Sequence, residues 1–366
     1  MTSVLRRGGS AVAFSWDQHA IPSSLRGQLQ AHRFRSIETA ASEEVSVGWV
    51  TPGDPTGDSF VLEDMDAGGH WWLRFRVDAK KFPASKLQVE IANAERARGK
   101  RLSARERREL KDDLHEKLLP SILPRTQFFD VLVHRDLHTA LLLSTSKAAQ
   151  EAFGKLCRDA LGFEPKRLTS GAIATRTQGE QSVGKLMPTV FPGGGPKQRE
   201  LALSADFLGD ELLLWLWWKW ETDGGEFVVP NGLVGIAIDD RVEFAAGADE
   251  TSLVLRHGLT TRAAEARAAL RQGRVPTKAR MLVAKGNHQW TVTLDGGPLA
   301  MCSVRMPEDS DDCETLEDRT AERAASWFAL LGIVEHLFDK FVVDRSSLIW
   351  LPKTREIASW MAGGAS

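Results

Sequence analysis

Apolar and charged positions alternate over residues 70–77, and this is the first strong pattern in the chain. One face carries Trp71, Leu73, Phe75 and Val77, and the other carries Trp72, Arg74 and Arg76. A period of two predicts a β-strand whose first face is buried and whose second face meets solvent.

A helical period follows at once and repeats after a short break. Leucine and other apolar residues recur at steps of three and four, at Leu87, Ile91 and Ala94 and then at Leu110, Leu114 and Leu118. Ser85-x-x-Gln88 and Ser103-x-x-Glu106 have capping-box spacing, so each predicts a helix start. Gly99 and Pro120 are the expected stops. The two helices should form a hairpin with a narrow apolar stripe, which protrudes from the body because its remaining surface is charged.

The rest of the chain alternates short strands with helices. Strands are predicted near 128–133 and 139–144, around a turn at 134–137, and a helix at 147–161. A similar order recurs later, with a helix at 261–271, strands at 279–284, 289–294 and 300–306, and a long helix at 316–338. The predicted class is α+β with mainly antiparallel sheets.

Composition divides this pattern into domains. Residues 171–196 are rich in Gly, Ser, Thr and Pro, which predicts an irregular connection. We therefore expect a first α+β domain at 1–82 and 125–170, the helical hairpin at 83–124, the connection at 171–200, a second α+β domain at 201–345 and a tail at 346–366, which should be loosely ordered from residue 355 onward.

Charge is balanced overall but unevenly distributed. The 366 residues include 47 Lys and Arg against 49 Asp and Glu, a net charge of −2. Between residues 95 and 111, however, eight basic residues face three acids, while acids crowd at 308–318. No apolar run reaches membrane-spanning length, and three cysteines without a C-x-x-C spacing fit a reducing cytoplasm.

Several motifs have a functional and a structural interpretation, and the structural one is favoured. Gly193–Gln198 lacks the Gly-Lys-Ser/Thr order of a phosphate loop, and residues 134–137 lack the partners of a kinase catalytic loop. His134 and His138 flank a turn, where a spacing of four does not bring two metal ligands together. The tryptophans of 212–220 could stack on bases, but their leucine neighbours favour a buried helix or interface. No catalytic, metal or cofactor site is predicted.

The basic hairpin has two interpretations that the residues alone leave open. Its arginines could contact the phosphates of a nucleic acid. Alternatively, Glu106 and Glu109 could pair with neighbouring arginines and make the hairpin an ordinary solvated surface.

Three stretches, in order and with compatible spacing, resemble the recombination-associated RdgC family. They are Gly48-Trp49-Val50-x-Pro52, the hairpin from Leu87 through Leu110-Lys111-Asp112-Asp113 to Leu118-Leu119-Pro120 with the strand after it, and Leu259-Thr260 with Gly273-Arg274-Val275-x-Thr277-Lys278. Arg274 stands where a lysine is usual, and 121–124 replaces an Arg- and Phe-containing finger tip.

The resemblance implies a homodimer closed into a ring around duplex DNA, which binds without reading sequence, limits RecA-driven strand exchange and associates with the nucleoid. The expected DNA-binding residues are Arg96, Arg98, Lys100, Arg101, Arg105, Arg107, Arg108, Lys111, Lys117, Arg125, Arg256, Arg274 and Lys278. The alternatives are a metal-dependent nuclease, which would need clustered acids, and a protein-interaction scaffold built on the tryptophan-rich segment.

Overall fold

The computed structural model describes residues 4–16, 25–40, 42–61, 63–81, 84–192, 205–245, 252–310 and 313–363. The amino-terminal elements are β1 (Gly8–Ser15), α1 (Leu25–Ala31), β2 (Val45–Val50), β3 (Asp66–Ala67), β4 (His70–Ala79), α2 (Ala84–Arg98), α3 (Ala104–Leu118), β5 (Arg125–His134), β6 (Thr139–Leu142) and α4 (Lys147–Leu161). Short 3-10 turns lie at Glu63–Met65 and Leu119–Ser121.

The carboxyl-terminal elements repeat the mixture of strands and helices. They are β7 (Lys166–Arg167), α5 (Ser170–Gln178), α6 (Glu180–Val183), α7 (Phe207–Asp223), β8 (Glu226–Val229), β9 (Gly232–Phe244), β10 (Leu253–Arg256), α8 (Ala264–Arg271), β11 (Pro276–Lys285), β12 (His288–Asp295), β13 (Ala300–Arg305), α9 (Leu316–Ser346) and α10 (Trp350–Met361). A 3-10 turn, Thr260–Arg262, precedes α8.

The strands form one sheet, in the order β10-β9-β11-β12-β13-β1-β6-β5-β4-β2, with β3, β7 and β8 on its margins. Every pair of named strands is antiparallel. The predicted α+β class with antiparallel sheets is therefore confirmed. β1 joins the two halves, because Gly8–Ala11 pairs with β13 and Val12–Ser15 pairs with β6.

Two apolar cores cover the faces of this sheet. The smaller core lies under α4 in the amino-terminal half and includes Trp49, Phe75 and Phe153. The larger core packs α7, α9 and α10 against the other half and also takes in Leu132 and Leu141 from β5 and β6. The two predicted α+β units thus share a core, and their boundaries stay a prediction.

The second face of β4 differs from its prediction. The strand is present, but Trp72 and Arg74 are buried instead of solvent-facing. Asp130 of β5 explains this, because its Oδ1 accepts from Trp72 Nε1 at 2.8 Å and from Arg74 Nε at 2.7 Å. A buried arginine is tolerated when a paired carboxylate satisfies its charge and its donors.

The helix boundaries marked by the capping box at Ser103 and by the glycine stop at Gly99 were predicted correctly. Ser103 and Glu106 form the expected capping box at the start of α3, and α2 ends before Gly99, whose φ is +64°. The Ser85 cap was wrong, since α2 begins at Ala84 and Ser85 lies inside its first turn. Residues 82 and 83 lie outside the described residues.

Two segments expected to be irregular are helical. The segment predicted as an irregular connection contains α5 and α6, because Thr169 caps α5 and Ile173 and Ala174 are buried in the larger core. The predicted glycine turn at 193–198 lies outside the described residues.

The predicted tail contains α10, and Trp360, which lies in the part expected to be loosely ordered, is buried. The tryptophan-rich segment is confirmed as a buried helix, α7, in which Trp215, Trp217 and Trp218 are at most 5% exposed.

Candidate nucleic-acid interface

Helices α2 and α3 form a pair inserted between β4 and β5 at one end of the sheet. Neither helix contains a buried residue. The strands that flank the pair are in register, with Ala79 opposite Arg125, so the chain leaves and re-enters the sheet at the same point. Residues 99–103 connect the two helices at the far end, and we call them the connecting turn.

Positive charge concentrates around the connecting turn. Residues 95–108 contain seven basic side chains and two acids, Glu95 and Glu106. Over α3 as a whole, five Lys and Arg residues are balanced by five Asp and Glu residues. A polyanion would therefore meet a positive potential at the connecting turn, while the outer surface of α3 is close to neutral.

Three arginines of the pair are engaged with glutamates. Arg98 contacts Glu106 at 2.7 Å, Arg107 contacts Glu95 at 2.8 Å, and Arg105 contacts Glu109 at 2.8 Å. The expected pairing of Glu106 and Glu109 with neighbouring arginines is therefore present, and Arg107 pairs with a third glutamate. Exposed ion pairs contribute little to stability, so a phosphate can compete for these arginines at small cost.

The other predicted cations near this end of the sheet are exposed and form no ion pair with a described residue. They are Arg96, Lys100, Arg101, Arg108, Lys111, Lys117 and Arg125. Lys100 and Arg101 belong to the connecting turn, and Arg96 and Arg108 lie on the helices beside it. Lys117 and Arg125 lie at the opposite end of the pair, beside the sheet. Arg101 also acts on Glu95 electrostatically. These unpaired cations are the groups most available to phosphates.

The segment expected at a finger tip is instead at the base of the helix pair. Leu119 is 3% exposed, and its carbonyl accepts from Lys80 Nζ at 3.1 Å. Lys80 Nζ also donates to the carbonyl of Ala40 at 2.9 Å. Residues 121–124 then lead directly into β5, with Leu123 75% exposed. The far end of the pair is the connecting turn, because Gly99 ends α2 there.

The remaining predicted DNA-binding residues lie in the other half of the sheet. Lys278 of β11 contacts Asp295 at 2.7 Å, and this bond raises the pKa of Lys278. Arg256 is exposed on β10, opposite Arg241, and Arg274 is half-buried. β11 is five strands from β5, roughly 24 Å across the sheet. Lys278 and Arg256 therefore lie on strands that do not adjoin β4 and β5, the strands that flank the helix pair.

A group of carboxylates lies between the start of α7 and the end of β12. Burial, with the charges of Asp295, Glu211 and Asp206, raises the pKa of Asp210 to about 8. Lys278 lies beside Asp295, and Gly171 N donates to Asp206 Oδ1 at 3.0 Å. Within the described ranges, no three or more His, Cys, Asp and Glu side chains are grouped to hold a metal ion.

Sequence reasoning missed this carboxylate group because its members are far apart in the chain and each is unremarkable alone. The sequence signal for this region was the glycine pair Gly296-Gly297. The backbone there lies so close to Gly209 that a Cβ on Gly209 would overlap the carbonyl oxygen of Gly296. Such close approaches favour glycine.

Within the described part of the chain, no helix combines the length and apolar composition that crossing a membrane requires.

Comparison with known proteins bears on the half of the chain that carries the helix pair. The family model described as "Putative exonuclease, RdgC" matches residues 10–178. The resemblance to the RdgC family is thus confirmed over these residues. The matched range contains most of β1, the helix pair and α4, and it excludes Arg256, Arg274 and Lys278. The third resembling stretch, from Leu259 onward, lies outside it.

Two curated relatives agree with this assignment. The recombination-associated protein RdgC of Tolumonas auensis is 28% identical over 163 residues, which are 42% of this chain and 52% of the relative. The protein of the same name from Pseudoalteromonas atlantica is 23% identical over 129 residues, 34% of this chain and 42% of the relative. The chain therefore spans about half the length of the curated relatives it matches.

Proposed function

We propose that this RdgC-like chain binds double-stranded DNA without reading its sequence and so modulates homologous recombination. The observation that carries the proposal is the set of exposed, unpaired cations around the connecting turn, within the range that resembles recombination-associated proteins. Lysines and arginines that face outward suit phosphates, which carry no sequence information.

The helix pair suits contact with a long polyanion because it extends away from the core. It buries none of its own side chains, so its surface can meet a duplex without disturbing the body. Overall net charge is slightly negative, and binding therefore depends on where the cations lie rather than on their number.

The deciding experiment replaces four cations around the connecting turn. Changing Arg96, Lys100, Arg101 and Arg108 together to Ala should weaken duplex binding in a gel shift or anisotropy titration. The slope of log affinity against log salt should fall in magnitude by up to about 3.6, or about 0.9 for each lost phosphate contact per chain. Lysine at the three arginine positions should retain most of the affinity, because phosphates accept point charges.

A matched control removes the same charge elsewhere. Lys147, Lys155, Lys166 and Lys185 are exposed lysines outside the helix pair, and their fourfold change to Ala lowers net charge equally. This control should bind nearly as well as the wild type. Equal losses in both variants, or no loss in either, would contradict a DNA-contacting role for the connecting turn.

We also propose that two copies of the chain form the ring-shaped homodimer of the resemblance. In such a dimer, the cations of β10 and β11 and those of the connecting turn could contact the same duplex, although they lie in different halves of the sheet of each chain. Light scattering at micromolar concentration should give twice the chain mass. A monomer would contradict the ring. It would not contradict DNA binding, which the salt titrations test separately.

The proposed cellular role is at the nucleoid in the cytoplasm, where occupied duplex would limit RecA-driven strand exchange. Addition of the protein to a RecA strand-exchange reaction should slow product formation, and the fourfold Ala variant should slow it less. Equal inhibition by both proteins would separate any effect on RecA from binding through the connecting turn.

A nuclease is the second candidate, because the matching family description names an exonuclease. That activity would need metal-held water or substrate, and the carboxylates near Asp210 are the closest approach to such a group. Linear duplex incubated with the protein and Mg²⁺ should stay intact under the binding proposal. Shortened duplex that persists after purification, and is lost in an Asp210→Asn, Asp295→Asn variant, would favour the nuclease.

A further inference from the structure

Two acids stand at the most basic part of the chain, and by charge alone they oppose the proposed function. Glu95 and Glu106 each lower the positive potential that a phosphate backbone would meet. Their hydrogen bonds suggest a different role, because both carboxylates bind the backbone of the connecting turn.

Glu95 joins α2 to both the connecting turn and α3. Its Oε1 accepts from Leu102 N at 3.0 Å and from Arg107 Nη2 at 2.8 Å. The Leu102 amide, followed by Arg107, lowers the pKa of Glu95, so this carboxylate is ionised at neutral pH. One side chain thus fixes the end of the turn and the start of the second helix.

Glu106 makes the reciprocal connection from α3. Its Oε2 accepts from Ser103 N at 2.8 Å, while its Oε1 accepts from Arg98 Nη1 at 2.7 Å. The two glutamates therefore bridge the helices in opposite directions, one from α2 forward and one from α3 back.

These polar contacts matter because the helix pair has almost no core. No residue of α2 or α3 is buried, and in the connecting turn only Leu102 is, at 7% exposure. Without the two carboxylates, little apolar packing would remain to hold the turn in one conformation. An unheld turn would have to be ordered when DNA binds, at a cost in affinity.

We propose that Glu95 and Glu106 are positioning residues: they hold the connecting turn in one conformation, so that the cations around it are already ordered when they meet phosphates. This inference rests on the proposed function. It goes further by assigning to two acids a favourable effect on the binding of a polyanion.

The test uses two substitutions with the same change in charge. Glu95→Gln keeps an oxygen that accepts from Leu102 N, whereas Glu95→Ala removes it; both add one positive charge to the net total. Duplex affinity at fixed salt should be equal to or above wild type for Glu95→Gln. For Glu95→Ala it should be about fivefold below that of Glu95→Gln, the effect of one lost backbone hydrogen bond. Equal affinities for the two variants would overturn the inference.

Glu116 provides the matched control, because it is exposed on α3 away from the connecting turn. Glu116→Gln and Glu116→Ala change charge in the same way and should bind with equal affinity. A difference there as large as at Glu95 would mean that alanine acts through general helix stability, and it would also overturn the inference.

Hydrogen exchange of the Leu102 amide gives a second measurement, and it distinguishes the two variants even though they carry the same charge. The Leu102 amide should exchange faster in Glu95→Ala than in Glu95→Gln, with the body of the protein equally protected in both. Unchanged exchange at Leu102 would refute the positioning role. Failure of the proposed function is distinguishable, because the fourfold cation variant would then bind DNA as well as the wild type.

Discussion

At the scale of single residues, burial forces an ionisable side chain either to pair with an opposite charge or to shift its pKa. Arg74 and Arg345 are both arginines with buried partners, Asp130 at 2.7 Å and Glu211 at 2.6 Å. Asp210 is different, because none of the described cations forms an ion pair with it and burial raises its pKa to about 8. At neutral pH its carboxyl group therefore keeps its proton.

This pKa makes stability depend on pH. Asp210 binds its proton more tightly when folded than at its ordinary pKa of 3.8. Its stabilising contribution is therefore complete below about pH 4 and is lost as pH rises to about 8. Asp210→Asn should remove this loss, so the variant should be more stable than wild type by on the order of 5 kcal/mol at pH 8.5 and by only about 1 kcal/mol at pH 4.5.

Urea unfolding at both pH values measures this difference. Asp113→Asn is the control, because Asp113 is exposed on α3 and should show no such dependence. A stability gain of Asp210→Asn that is the same at pH 4.5 and 8.5 would contradict a protonated Asp210.

At the scale of elements, helix α10 shows how a segment without a strong local signal becomes part of the core. Trp360 is 8% exposed, its ring lies 5.9 Å from that of Trp217, and its Nε1 donates to Glu221 at 2.8 Å. These contacts join α10 to α7, so the end of the described chain stabilises the tryptophan-rich helix.

Trp360→Ala should consequently lower the free energy of unfolding by about 3–5 kcal/mol, the usual effect of removing a buried tryptophan. Leu351→Ala in the same helix should change it by about 0.5 kcal/mol or less, because Leu351 is 64% exposed. Thermal or urea unfolding followed by circular dichroism measures both. Similar effects at the two positions would mean that α10 is not packed as described.

At the scale of the whole molecule, β1 connects the two halves of the sheet. Ala11 is paired with Met301 of β13, and the next residue, Val12, is paired with Leu142 of β6. The larger core also includes Leu132 and Leu141 of the amino-terminal half. Neither half of the sheet is therefore independent of the other.

We expect the body of the protein to unfold in a single cooperative transition for this reason. Pulsed hydrogen exchange across a urea series should give the same midpoint for peptides from β6 and from β12. The helix pair, which has no buried residues, should lose protection at lower urea. Separate midpoints for β6 and β12 would indicate two independently folding domains.

The sequence by itself determined the elements whose signals are local. The capping box of Ser103 and Glu106 predicted the start of α3, and Gly99 predicted the end of α2. The helical period of residues 147–161 predicted α4. Caps and periodicity act within a few residues, so the sequence alone shows them. The cations of the helix pair were recognised from the sequence too, and so was the resemblance to the RdgC family over residues 10–178.

Tertiary structure decided what depends on partners distant in the chain. Arg74 is buried because Asp130 lies beside it on the next strand, and α10 packs on the core because Trp360 meets α7. Neither contact has a local signal. The same holds within the helix pair, where the fold pairs Arg98, Arg105 and Arg107 with glutamates. Periodicity reports which residues can be buried, but only the packed chain determines which charges meet.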